Sequence, residues 1–221
     1  MERTLLFDFD STWTRVEALD LLAEQLADEG RLSRAAAIEI AQVTELGMSG
    51  AIGFGESLRR RMAVLDIGLG DITALAQTLK AQVSDSIVAN ADWVRANAAR
   101  ICIVSNGFVE FIAPVVAELG IAEDRVVANR FLLDTDDRII GADPASPLAA
   151  DTGKPIAVRA LNLKGDVWAI GDGFTDYQIK QGGAATQFVA FTENVRRQHV
   201  VDLADFEAPS LDVLIAHDTR P

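Results

Sequence analysis

Residues Leu5–Thr14 read LLFDFDSTWT: a run of strand-forming apolar side chains passes directly into two carboxylates, Asp8 and Asp10. Residues two apart on a strand share a face. With about 5 Å between the charges and an effective dielectric near 20, their repulsion costs roughly 3 kcal/mol. A buried strand that ends this way points to a site where cations offset the charge.

Outward from this stretch, residues 15–83 carry almost no strand signal. Val16, Leu19, Leu22 and Leu26 fall at helical spacing, an alanine-rich stretch follows at 34–41, and LGMSGAIGFG (46–55) reads as a turn. A helix with Leu58, Met62 and Leu65 comes next, then one over 71–83 with Asp71 as its cap. From residue 85 strand and helix alternate. Helix 86–98, strand 101–105, helix 108–119, strand 125–128 and the hairpin FLLDTDDRIIGAD, with Asp134–Asp136 at its turn, lead to helix 154–163. Strand 167–172, helix 175–181, strand 186–191 and a helix near Asn194 follow. This order predicts an α/β fold: a doubly wound, mainly parallel sheet. A core of 1–14 and 84–221 is interrupted by a helical cap domain, 15–83.

The composition narrows the functional classes. Of 221 residues, 49% are hydrophobic, enough for a sizeable core. No apolar run approaches the ~18 residues of a membrane span, and Asp8 follows the first short apolar run too closely for a signal peptide. The single cysteine, Cys102, excludes an internal disulfide and a multi-cysteine metal site. A cytoplasmic protein is expected, with no preceding domain, because Met1 opens almost directly onto the sheet. The net charge of −13 disfavours nucleic acid and anionic membranes as partners. It leaves room for a small phosphorylated substrate held by a few local cations. Two histidines, His199 and His217, form no ligand-like cluster.

In doubly wound sheets, ligands bind beyond the carboxyl ends of the strands. There the chain places Asp8-Phe9-Asp10-Ser11-Thr12, then Ser105-Asn106-Gly107, and Gly171-Asp172-Gly173-Phe174-Thr175-Asp176, with Asp151-Thr152-Gly153-Lys154 on a loop entering a helix. Singly, each is weak: Ser105 suits a helix cap and Lys154 a solvated helix face. Together, and in this order, they resemble the four motifs of the haloacid dehalogenase superfamily of phosphatases: DxDxT, a Ser or Thr after a strand, a Lys, and GDGxxD.

The resemblance implies chemistry that these residue types support. Asp8, Asp10 and Asp172 would supply hard oxygen ligands to Mg²⁺, with Asp176 orienting Lys154 or the metal's water shell. Ser105, Asn106, Gly107 and Lys154 would hold phosphate oxygens. Asp8 would attack phosphorus to give an aspartyl-phosphate, and Asp10 would protonate the leaving alcohol and then activate water. The neighbouring carboxylates should raise the Asp10 pKa.

The cap sharpens the resemblance, towards the phosphoserine phosphatase branch. Asp10-Ser11-Thr12 with Glu17 and Asp20 is similar to its DSTxxxxExxD motif, and Met48, Phe54 and Arg61 match cap positions. Val126, Ala128, Asn129 and Arg130 match VxANR, and ENVRRQHV (193–200) matches a late motif. On a helical wheel Arg61 sits with Phe54, Leu58, Met62 and Leu65, while Arg59 and Arg60 point away. Arg61 would pair a substrate carboxylate, Glu17 an ammonium, and Met48, Phe54 and Thr175 would complete the substrate pocket. Ser49, Asn106, Pro155 and Phe174 depart from the branch pattern, and Trp13 is expected at the cap's mouth, trimming the substrate range.

The expected activity is hydrolysis of a phosphomonoester, with phosphoserine favoured and phosphoethanolamine or phosphocholine as alternatives. Transfer of the phosphoryl group to an alcohol such as homoserine uses the same residues. A phospho-accepting signalling domain clusters aspartates and a lysine similarly, but gains nothing from a large cap or an Asp10 acid–base. Oligomeric state is not legible.

Overall fold

The computed structural model describes residues 3–219; Met1, on which the expectation about a preceding domain rests, lies outside them. The chain leaves β1 (Thr4–Phe7) through an irregular turn at Phe9–Trp13. It then forms α1 (Ala18–Asp28), α2 (Arg34–Met48), α3 (Phe54–Val64) and α4 (Leu69–Lys80). The short helices α5 (Asp85–Ala89) and α6 (Ala91–Asn97) lead into β2 (Ile101–Phe108), α7 (Val109–Val116) and β3 (Val126–Asn129). A hairpin of β4 (Phe131–Leu133) and β5 (Ile139–Ala142) precedes α8 (Gly153–Ala160), β6 (Val167–Gly171), α9 (Phe174–Gln181) and β7 (Gln187–Phe191). Last come α10 (Gln198–Val201), β8 (Phe206–Ala208) and α11 (Leu211–Asp218).

The strands are buried on both faces, as period-2 packing in a parallel sheet demands. Leu5 and Phe7 of β1 join one apolar cluster with Ile101, Ile103, Trp168 and Ile170. Leu6 joins the other, with Cys102, Val104, Val167 and Ala169. The six-stranded sheet has the order β3-β2-β1-β6-β7-β8, every pairing parallel, and β4-β5 is a separate antiparallel pair. After reaching the β3 edge the chain returns to the other side of β1. The strand order therefore reverses beside β1, and the crevice at its carboxyl end is where such sheets bind ligands.

The helical insert is tied to the rest of the fold at several places. Its two connecting segments pair at Thr14 and Val83, with Arg15 and Ser84 N–H groups donating to Gln82 and Trp13 carbonyls at 2.8 and 2.9 Å. Gly68, between α3 and α4, pairs with Arg138 beside β5. Helix α4 packs on α7, so insert and sheet share one apolar cluster. A cavity of about 420 Å³ lies between the insert and the strand ends.

Four expectations need correcting. Leu46, Gly47 and Met48 belong to α2 rather than to a turn: a Cβ on Gly47 would lie 2.8 Å from Ser57 Oγ, so this glycine lets α2 and α3 approach. The helix expected over 86–98 breaks at Asn90. The chain after residue 192 forms a loop, with α10 starting only at Gln198, and β8 and α11 follow it. Trp13 is fully buried, edge-on to Phe7 at 5.6 Å, and belongs to the core rather than the cavity wall.

Candidate active site

The floor of the cavity is built from strand ends and the loops that follow them. Asp8, directly after β1, is buried, and its Oδ1 accepts from the Phe9 N–H at 2.7 Å and pairs with Lys154 Nζ at 2.8 Å. Its Oδ2 accepts no hydrogen bond among the described residues, which leaves one oxygen for chemistry. Lys154 comes from the first turn of α8 and also pairs with Asp176 at 2.7 Å. Burial works against its charge, but Asp176 and Asp8 outweigh that and hold its pKa above the ordinary lysine range.

Asp172 ends β6. Its Oδ1 accepts from the Thr12 hydroxyl at 2.9 Å, and its Oδ2 pairs with Arg197. Asp176 enters from α9, with Oδ2 accepting the Gly173 N–H at 3.1 Å. Gly171 has to be glycine, because a Cβ there would lie 2.2 Å from the Asp176 carboxylate. Burial first, then Asp8, pushes the Asp176 carboxyl up to about 8 against the pull of Lys154, and burial and Asp8 also raise Asp172.

Asp8, Asp172 and Asp176 each offer an oxygen within 4.8 Å of the others. With all three carboxylates ionised, Lys154 and Arg197 leave a net charge of −1 on hard oxygen donors, a set that fits a small dication such as Mg²⁺. Asp176 thus stands inside the carboxylate cluster, where an outer position was expected. The Asp10 side chain stands apart from it: its Oδ1 accepts from the Ala18 N–H, at the start of α1, at 2.9 Å. The Asp10 pKa is raised well above the ordinary range, by enclosure in protein first and by Glu17 and Asp8 next. Ser105 is buried, its Oγ accepting the Gly107 N–H at 2.9 Å. Asn106 lines the cavity, but its amide nitrogen donates to the Leu148 carbonyl at 2.7 Å.

The insert supplies the roof. Glu17 Oε1 accepts from Ser11 Oγ at 2.7 Å, and burial followed by Asp172 raises its pKa to about 7. Arg61 on α3 is 7% exposed, with Nη1 3.3 Å from Thr44 Oγ1, whose hydroxyl donates to Asp20 at 2.6 Å. Arg59 and Arg60 instead pair with Glu56 at the surface. Met48, Phe54 and Thr175 line the same cavity. Thus the expected phosphate and substrate residues converge on one space.

Sequence reasoning did not assign Arg197, Thr12 or Thr44 to the site, nor Gln178 and His199, which also line the cavity. Arg197 lay within the quoted stretch ENVRRQHV; its link to Asp172 comes from sheet order, β7 being next to β6.

Comparison with known proteins agrees with this fold. The model of the haloacid dehalogenase-like hydrolase family matches residues 5–179. The chloroplastic phosphoserine phosphatase of Arabidopsis thaliana is 29% identical over 204 residues, covering 90% of this chain and 66% of its own length. The crystal structure of a phosphoserine phosphohydrolase-like protein from Francisella tularensis superposes with a TM-score of 0.85 at 29% identity, over 98% of this chain and 99% of that one. A phospho-aspartyl intermediate analogue of phosphoserine phosphatase superposes with a TM-score of 0.76 at 21% identity, over 98% and 99% of the two chains, and speaks for the fold alone. Matched by the family model over residues 5–179, most of its length, the chain belongs to the haloacid dehalogenase-like hydrolase family.

Proposed function

We propose that this haloacid dehalogenase-type phosphatase hydrolyses phosphoserine to serine and phosphate. The observation that carries the reading is the division of charge across the cavity. Lys154 and the Ser105–Gly107 backbone lie on the floor beside Asp8, and Arg61 and Glu17 on the roof. A phosphate, a carboxylate and an ammonium in one small molecule complement that arrangement.

Asp8, Asp172 and Asp176 would hold Mg²⁺. When bound, the ion screens the charge between an anionic nucleophile and a phosphate dianion. Lys154 restrains Asp8 Oδ1, so Oδ2 is the oxygen aimed at phosphorus. The new Oδ2–P bond forms as the P–O bond to the serine side chain breaks, and the proton on Asp10 passes to the departing oxygen. A pKa raised well above the ordinary carboxylate range favours the protonated Asp10 that this step needs. Asp10 then takes a proton from water as the water oxygen attacks phosphorus and the bond to Asp8 breaks. The Arg61 guanidinium would fix the substrate carboxylate.

A phosphate-release panel with Mg²⁺ tests the reading across phosphoserine, phosphothreonine, phosphoethanolamine, phosphocholine and sugar phosphates. Phosphoserine should lead, Asp8→Asn should abolish turnover, and Arg61→Ala should raise KM for phosphoserine by about 10- to 100-fold. A lead by phosphoethanolamine or phosphocholine, which lack a carboxylate, would overturn the substrate assignment. Added homoserine should yield no phosphohomoserine.

A further inference from the structure

The stretch Gly53-Phe54-Gly55 opens α3, the helix that carries Phe54, Ser57 and Arg61 over the cavity. A helix start leaves backbone N–H groups without partners, and Gly53 at the N-cap has no side chain to accept them. The acceptor comes from the core instead. Asp151 Oδ1, on the turn before α8, accepts the Gly55 N–H at 2.9 Å. Both glycines are shaped to this contact: a Cβ on Gly53 would lie 2.4 Å from Asp151 Oδ2, and one on Gly55 3.0 Å from the Ala149 carbonyl oxygen.

Among the described residues this is the only hydrogen bond or ion pair joining residues 46–58 to the core. The other end of α3 is held separately, where the Ile139 N–H donates to the Ile67 carbonyl at 3.0 Å. Asp151 also stands three residues before Lys154, the cation that grips Asp8 and Asp176. One carboxylate thus ties the substrate-reading helix to the loop that carries the phosphate-holding lysine.

We propose that Asp151 is a positioning residue, a latch whose carboxylate seats the N-terminus of α3 so that Phe54 and Arg61 are pre-set over Asp8. Held in place, the helix spends no binding energy on ordering when substrate arrives. The kinetic part rests on the phosphoserine reading above; the latch itself does not.

The test combines Asp151→Ala, Asp151→Asn, Gly53→Ala and the double variant Gly53→Ala/Asp151→Ala. Each is assayed with phosphoserine and with p-nitrophenyl phosphate, which carries neither carboxylate nor ammonium, and by hydrogen exchange of amides 53–58 in the free protein. Asp151→Ala should raise KM for phosphoserine about five- to tenfold with kcat within about twofold. It should leave p-nitrophenyl phosphate turnover unchanged and speed exchange at 53–58. Asp151→Asn, which keeps an Oδ1 acceptor, should restore KM; Gly53→Ala should reproduce the loss, and the double variant should add nothing further. Unchanged exchange at 53–58, equal losses on both esters, or additive losses would overturn the latch. If phosphoserine proves not to be a substrate, the exchange measurement still decides the latch, so the two failures are distinguishable.

Discussion

Ser11 is the one buried residue among the described non-glycines with a φ in the left-handed region, at 56°. That backbone costs roughly 1 kcal/mol for an L residue. The reversal it makes turns Thr12 onto Asp172 and leaves the Ser11 hydroxyl 2.7 Å from Glu17. Burial and then Asp172 push the Glu17 pKa up to about 7, while the Ser11 hydrogen bond favours the ionised form and pulls it down. An ammonium partner needs that ionised form, so phosphoserine capture should strengthen as pH rises through about 7. A cation on Asp172 would move the same limb to lower pH. Ser11→Ala removes the hydroxyl's pull, so the acid limb of kcat/KM for phosphoserine should move to higher pH with its plateau retained. A pH profile whose limb stays put, or moves to lower pH, would show that Glu17 is not the group titrating. A limb that moves to higher pH would give Ser11 a tuning role beside its geometric one, and with it a reason for a strained serine where glycine would relax the backbone.

The elements meet at a neck held by Asn194. Its side-chain amide lies 3.2 Å from the carbonyls of Ser11 and Thr14 and 2.8 Å from Ser84 Oγ, and the Ser84 hydroxyl donates to Thr12 O at 2.7 Å. The loop after β7 thereby fixes both segments that enter and leave the helical insert. Asn194→Ala should cost about 1–3 kcal/mol in chemical denaturation, since it strands partly buried carbonyls. A variant with an unchanged denaturation midpoint would make the neck incidental. Nothing in the sequence marks Asn194 as such a hub, because its partners lie more than a hundred residues away. What was legible has a local cause. β1, β2 and β6 announce themselves by apolar runs that end at Asp8, Ser105 and Asp172, and the topology rule then gathers those ends. β8 was not legible: Phe206–Ala208 is three residues long, followed by Pro209, with too few positions to show a period. Gly47 misled for the converse reason, since a glycine at a helix–helix contact and one in a turn look alike without the facing Ser57. Asp151 and Arg197 needed the assembled cavity, as each acts on a residue from another part of the chain.

At the scale of the whole molecule, the chain of net charge −13 concentrates acid where it must meet a phosphate dianion. Without a metal, that concentration is paid for in stability, with a definite sign. Burial raises Asp10, Asp172, Glu17 and Asp176, the last two to about 7 and about 8, each also lifted by at least one neighbouring carboxylate. In the unfolded chain the same groups return to the ordinary carboxylate range near 4. Between about pH 4 and pH 8 the folded protein therefore binds more protons than the unfolded one, and its stability falls as pH rises. The raised pKa of Lys154 adds no slope here, because that group is charged in both states throughout the window. A dication held by Asp8, Asp172 and Asp176 would displace the protons of that cluster and offset the repulsion, and by binding only the folded state it would raise the melting temperature. Thermal melts at pH 5.5, 7.0 and 8.5, after chelation and again with Mg²⁺, read both effects. The chelated protein should melt lower at each step up in pH. The increment from Mg²⁺ should grow over the same steps, and Asp172→Asn should shrink it. An increment that is constant with pH, or a chelated protein most stable at pH 8.5, would mean that the carboxylate cluster does not govern the molecule's response to metal.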